Sequence, residues 1–207
     1  MADILAKGGP IMYLILLCSV IAVTVFLERL IHFHRSSIDT QKFMNGLRNI
    51  LRKKNFVEAI TICDETPGPI AYTLKTGIMS HDKPRELIKE AMEDAGLYEI
   101  PRLERKLVIL ATVAHITPLL GLLGTVTGMI NAFKSIVNSP GPVNPSILAE
   151  GIWEALITTA AGLVVAIPTY VAYNYLVNRV DSISIEMEKC TTEVTNLLTS
   201  EQDEYEI

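Results

Sequence analysis

From Leu107 to Ile136 the chain carries a single formally charged side chain, Lys134, close to the end of the run. The stretch exceeds the ~20 residues that a helix needs to cross a bilayer. Its middle reads Pro118-Leu119-Leu120-Gly121-Leu122-Leu123-Gly124-Thr125-Val126-Thr127-Gly128. Apolar helices gain little by hiding from lipid, so they associate by close packing, which small residues permit. A helix with glycines at this spacing needs a helix to pack on. The sequence supplies one in Glu154-Ala155-Leu156-Ile157-Thr158-Thr159-Ala160-Ala161-Gly162, which repeats the theme and adds a carboxylate.

Charge segregation extends the argument. Of 207 residues, 49% are hydrophobic and 20% are charged. The charges avoid two further runs, Gly8–Leu27 and Ile147–Asn178, where Glu150 and Glu154 are the exceptions. The expected fold is an all-α membrane protein. Three transmembrane helices are expected, with long helices two and three extending into a helical cytoplasmic region. Only Lys7 precedes the first run and no small-x-small cleavage site follows it, so it reads as an uncleaved anchor. Of the 18 Lys and Arg residues, all but Lys7 and Lys134 lie in Arg29–Lys106 or from Arg179 onward. The positive-inside rule then puts the N-terminus outside and both basic regions in the cytoplasm. The expected segments are an outer N-terminus (1–9), helix one (10–34), a cytoplasmic helical region (35–106), helix two (107–137), an outer turn (138–146), helix three (147–178) and a cytoplasmic C-terminal helix and tail (179–207).

Local signals fill in the cytoplasmic region. Phe43, Leu47, Ile50 and Leu51 have helical spacing within Thr40–Lys54. Asn55 is placed to cap Phe56–Cys63, with Glu58 as its capping-box partner. Thr66-Pro67-Gly68-Pro69 ends that helix. Lys83–Glu99 reads as amphipathic, and Pro101 as the start of the long second membrane helix. Three prolines in Ser139–Pro145 make a short rigid turn, forcing helices two and three to be adjacent and antiparallel. Pro118 and Pro168 interrupt membrane helices, where neighbours can satisfy the freed backbone groups. Val180, Ile183, Met187, Cys190, Val194 and Leu197 form a heptad-like seam. It suits either an outside partner or the chain's own cytoplasmic helices. Cys18, Cys63 and Cys190 have no zinc-ligand spacing, and no disulfide is expected in a reducing compartment.

Pro118–Phe133 and Gly151–Asn174, in this order and spacing, resemble the MotA/TolQ/ExbB proton-channel family, and are closer to ExbB and TolQ than to MotA. The resemblance implies a homo-oligomer, a pentamer, around an ExbD/TolR-like single-pass partner whose membrane aspartate takes up the proton. It implies a bacterial inner-membrane location with the outer face in the periplasm. Proton flow would then move the partner and energise a TonB/TolA-like periplasm-spanning protein. No cofactor, metal, nucleic acid or enzymatic activity is expected, because no nucleophile–base pair or metal constellation appears.

Site candidates follow from both readings. Gly121, Thr125, Gly128 and Ala132 share one helical face, as do Ala155, Thr159, Gly162 and Ala166, and Gly124 joins the packing set. The residues alone allow a packing role, each threonine bonded to a carbonyl one turn back. The resemblance makes Thr125 and Thr159 pore-lining groups beside the partner's aspartate. Glu154, one turn before Thr158, costs roughly 2.5–3.5 kcal/mol at mid-membrane. It suits either a structural hydrogen bond or, with Thr158, a proton path. His115 and Glu150 are secondary candidates. A sodium-driven relative and a non-conducting scaffold remain the rival functions.

Overall fold

A computed structural model describes residues 9–36, 39–138 and 145–199. Residues 1–8 of the expected N-terminal tail (1–9), most of the outer turn (139–144) and the end of the C-terminal tail (200–207) lie outside the described residues. Among the described residues the chain is helical throughout: α1 (Gly9–Ser36), α2 (Thr40–Leu51), α3 (Phe56–Glu65), α4 (Pro69–Met79), α5 (Arg85–Glu104), α6 (Leu107–Val137) and α7 (Pro145–Thr199). Three stretches, within Gly9–Phe33, Arg85–Val137 and Leu148–Thr199, are long and apolar enough to cross a membrane. The chain divides into two compact units, one of residues 1–28 and 106–175, the other of 29–105 and 176–207.

The first unit is built inside out by the standards of a water-soluble bundle. Where α6 and α7 meet, the buried positions are small or polar: Gly121, Gly124, Gly128 and Ala132 on α6, Ala155, Thr158 and Ala166 on α7. Large apolar side chains such as Leu17, Val20, Leu119, Leu122, Val126, Val164 and Val171 point outward. Water would penalise that surface and hydrocarbon does not, while the small interior lets backbones approach. From α1, Met12, Ile15, Ala22 and Val25 are buried along one stripe. Lys106, just before α6, pairs with Glu28 of α1.

The second unit is an ordinary helical bundle with a large-residue core: Leu47, Leu74, Ile78, Ile88, Met92 and Val194 are buried. Side chains cap the starts of α2 and α3. The Asp39 carboxylate accepts from the Lys42 backbone N–H at 3.1 Å, which with the Lys42 ammonium holds its pKa below the usual carboxylate value. Asn55 accepts from the Glu58 N–H at 3.3 Å and its side-chain amide donates to the Glu58 carboxylate at 2.6 Å; the cap forms, but the expected capping box does not close, because the Asn55 backbone N–H donates to the Ile50 carbonyl oxygen. Pro69 supplies the pre-set φ of the first turn of α4. The C-terminal part of α7 completes the bundle. Glu186 accepts from Thr40 at 2.9 Å, Glu193 pairs with Arg48, and Asn196 accepts from Arg85 at 2.5 Å.

Two local expectations need correction, and one open alternative is decided. Pro101 lies inside α5, and the break comes at Arg105 and Lys106, because a proline in the last turn sacrifices only one helix bond. The helix expected over Thr40–Lys54 ends at Leu51; Lys54 turns left-handed at φ +58°. The seam of Val180, Ile183, Met187, Cys190 and Val194 packs on the chain's own helices rather than facing outward.

Candidate functional site

The expected site residues meet where α6 and α7 lie against each other. A β-carbon added to Gly124 would stand 2.3 Å from Thr158 Cγ2, and one added to Gly162 would stand 2.7 Å from the Thr117 carbonyl oxygen. Both distances are below van der Waals contact, so neither position accepts a side chain without a shift. The glycine stripe therefore serves pairing within one chain. Gly121 lies directly under Thr159, whose Cα would be 3.0 Å from an added β-carbon.

This close approach lets a hydroxyl reach across. Thr159 Oγ1 donates to the Gly121 carbonyl oxygen at 2.9 Å, between helices rather than one turn back. Thr125 Oγ1 donates to the Leu122 carbonyl oxygen at 2.6 Å, on its own helix. Thr158, only 1% exposed, donates to the Glu154 carbonyl oxygen at 2.7 Å. Each of these bonds uses the hydroxyl hydrogen; the oxygen keeps lone pairs able to accept from an incoming acid or water. Thr125 and Thr159 are half-buried, at the rim of the helix seam, whereas Gly124 and Thr158 occupy its centre.

Glu154 is half-buried on α7, with its carboxylate against Gly9 at the start of α1. A β-carbon at Gly9 would come within 2.5 Å of Glu154 Oε1, and Gly9 has φ +64°. Glycine therefore meets two demands here, the left-handed backbone and room for a carboxylate. A helix N-terminus carries unsatisfied N–H groups and partial positive charge, which suits a carboxylate in a low-dielectric setting. His115 is exposed; its Nδ1 lies 2.6 Å from the Ala111 carbonyl oxygen, and its ring meets Tyr170 edge-on at 6.3 Å. Glu150 is exposed near the start of α7. Among the described residues, no three His, Cys, Asp or Glu side chains converge on a point that a metal could occupy.

Two contributors escaped the sequence reading. Thr117 is fully buried, and its hydroxyl donates to the Val113 carbonyl oxygen at 2.5 Å, next to Pro118. Gly151 packs so closely that an added β-carbon would be 2.4 Å from the Ala132 methyl. Its four-residue spacing to Ala155 was the available signal. Gly9 could not have been linked to Glu154 from sequence, since the two are far apart in the chain.

Comparison with known proteins places this geometry in context. The profile of the MotA/TolQ/ExbB proton channel family matches residues 65–189, which include both halves of the hairpin. A putative biopolymer transport protein ExbB homolog of Methanothermobacter thermautotrophicus is 31% identical over 86% of this chain and 63% of its own length. The Tol-Pal system protein TolQ of Haemophilus influenzae is 40% identical over 56% of this chain and 52% of its own. The biopolymer transport protein ExbB of Salmonella typhimurium is 29% identical over 98% of this chain and 85% of its own. The matched regions thus range from about half to most of these relatives' lengths.

Proposed function

Because this chain belongs to the MotA/TolQ/ExbB proton channel family, we propose that it is an ExbB/TolQ-like ring subunit of a proton-driven motor in a bacterial inner membrane. Residues 10–34, 107–137 and 147–178 span the bilayer, with the N-terminus periplasmic and segments 35–106 and 179–207 cytoplasmic. Several copies, as a pentamer, surround the membrane helices of an ExbD/TolR-like single-pass partner. The partner's movement works a TonB/TolA-like transducer across the periplasm. A proton falling through 100 mV releases about 2.3 kcal/mol, so repeated cycles can drive such work.

The supporting observation is the α6–α7 seam with Thr159 and Thr125 on its rim. Both hydroxyls have donated their hydrogens to carbonyls, leaving oxygen lone pairs outward. In that state they accept a hydrogen bond from a protonated carboxylic acid and release it when the acid ionises. Glu154, with Thr158 one turn on, forms the outer part of the path, and Glu150 gathers protons nearer the mouth. His115 serves on the cytoplasmic side. Gly121, Gly124, Gly128, Ala132, Ala155, Gly162 and Ala166 hold the hairpin that positions them.

Affinity purification of the tagged chain from its native membranes tests this. It should recover a short protein with one apolar helix bearing an aspartate, in a multi-copy complex that conducts protons when reconstituted. A complex lacking such a partner, or one that conducts only sodium, would overturn the assignment. A scaffold without conduction is the second reading. The Thr159-to-Gly121 bond favours it, since a hydroxyl engaged in helix pairing needs no transport role. Valine substitution at Thr159 separates the two.

A further inference from the structure

His115 on α6 and Tyr170 on α7 form a ring pair on the surface of the hairpin. Their ring centroids are 6.3 Å apart and their planes stand at 90°. Aromatic rings favour this edge-to-face arrangement. Both side chains are exposed, so the pair is no part of the buried seam. Helical pitch tells which side of the hairpin it occupies. Tyr170 follows Thr159 by eleven residues, close to three full turns of α7 and roughly 16 Å along it. The two residues therefore lie on one face of α7, and the ring pair shares the Thr159 rim. His115 is also the one titratable side chain between Leu107 and Phe133. The nearest formal charge along α6 is Lys106, which is paired with Glu28.

The imidazole is held at two points. Its Nδ1 lies 2.6 Å from the Ala111 carbonyl oxygen. A carbonyl oxygen only accepts, so Nδ1 carries the hydrogen of the neutral ring. Nε2 then keeps its lone pair, and among the described residues it has no protein partner. The bond to Ala111 fixes one atom of the ring; the Tyr170 ring fixes the direction of its plane. We propose that Tyr170 is a positioning residue for proton transfer, acting through Nε2 of His115. On the proton-motor function proposed above, which this assignment presupposes, Nε2 takes a proton from an acid or hydronium arriving along the Thr159 rim. The product is an imidazolium with a hydrogen on each nitrogen. Nε2 then gives its proton to water, and the Nδ1–H bond to Ala111 is kept throughout. Tyr170 exchanges no proton; its ring keeps Nε2 in one orientation during the cycle.

The complex purified with its partner from native membranes is reconstituted in proteoliposomes, and proton flux is measured for the parent and four variants. Tyr170→Leu keeps apolar bulk without a ring and should lower flux about tenfold, since misplacing a transfer group is costly. Tyr170→Phe, which keeps the ring, should restore parental flux. His115→Asn retains a donor for Ala111 but has no Nε2, and should lower flux about 100-fold, the scale of a positioned base. The double variant, His115→Asn with Tyr170→Leu, should conduct as His115→Asn does, because Tyr170 has nothing left to orient. A packing role for Tyr170 would make the two losses multiply. Multiplied losses, parental flux from Tyr170→Leu, or equal losses from Tyr170→Leu and Tyr170→Phe would overturn the proposal. A parent complex that carries no protons would overturn the motor function itself and this assignment with it, a result visible before any variant is made.

Discussion

The side-chain hydroxyl of Thr159 on α7 donates to the main-chain oxygen of Gly121 on α6 across 2.9 Å. The bond exists because Gly121 has no side chain to hold the helices apart. Interhelical bonds of this kind average about 0.6 kcal/mol in membranes. Thr159→Val should therefore fold, insert and bind its partner. Motor-dependent growth or motility should still fall, with proton flux down about 100-fold, within the range that a positioned proton-transfer group supplies. Thr159→Ser should restore both, and Thr125→Val should act like Thr159→Val. If both valine variants work like the parent while co-purifying with the partner, these threonines only pack helices.

Glu154→Gln keeps the volume and the contact with Gly9 but removes titration. A relay role predicts loss of proton-dependent work with normal complex recovery, and a structural hydrogen bond predicts tolerance. The readout is flux in proteoliposomes. Parental flux from the glutamine variant would remove Glu154 from the path.

Alanine at two glycines should shift stability in opposite directions. Gly162→Ala drives a methyl to 2.7 Å from the Thr117 carbonyl and should cost about 1–3 kcal/mol. Gly46, in the interior of α2, has nothing within 4 Å of an added β-carbon. Gly46→Ala should then stabilise by about 0.5–1 kcal/mol, since glycine is the poorer helix former. Thermal unfolding in one detergent measures both. Two shifts of the same sign would contradict the packing described for α6 and α7.

Burial pushes the Cys63 and Cys190 thiols up to about 11, with Asp64 and Glu193 adding repulsion. The thiolate is thus disfavoured in the folded state. In a Cys18→Ala background at pH 8, alkylation of the native chain should be about 100-fold slower than of the denatured chain, from the change in thiolate fraction alone. The sign for stability follows. The contribution is complete below pH 9, the ordinary thiol value, and is lost as pH rises toward 11. Melting temperature should drop over that window, and less so in Cys63→Ala. Fast alkylation at pH 8 would mean that these thiols are exposed.

Membrane orientation is open to a direct test. In a cysteine-free background, Ser139→Cys should react with an impermeant thiol reagent in cells whose outer barrier is opened, and Lys53→Cys should not. The expectation rests on the basic asymmetry around the apolar runs. Equal labelling would reverse or abolish the proposed topology.

Much of this was legible in the sequence because the strongest signals are local. The apolar run beginning at Leu107 coincides with the first residue of α6, and Asn55 caps α3 through the Glu58 N–H. Other features depend on contacts between distant segments. Helical periodicity put Thr125 on the same face as Gly121, yet the pitch leaves that face tens of degrees wide. Only docking against α7 puts Gly124 at the centre, opposite Thr158, and Thr125 at the rim. Helix α4 was missed as a separate element, although Ile70, Leu74 and Ile78 repeat at four-residue intervals behind Pro69. The fate of the Val180–Val194 seam was undecidable, since an apolar stripe looks the same whether its cover is the chain's own or another's.

The helical unit is assembled from two pieces of chain, residues 29–105 and 176–207, separated by the α6–α7 hairpin. A ribosome delivers the first piece long before the second. Until Met187 and Cys190 emerge, Met92 and Met44 lack the helix that lies beside them. Both later apolar segments must enter the insertion machinery during that interval. The order of synthesis thus makes completion of the helical unit the last event, after the hairpin has been made. A nascent chain whose hairpin fails to insert keeps an unfinished core on view, which is the kind of surface that quality-control chaperones and proteases recognise.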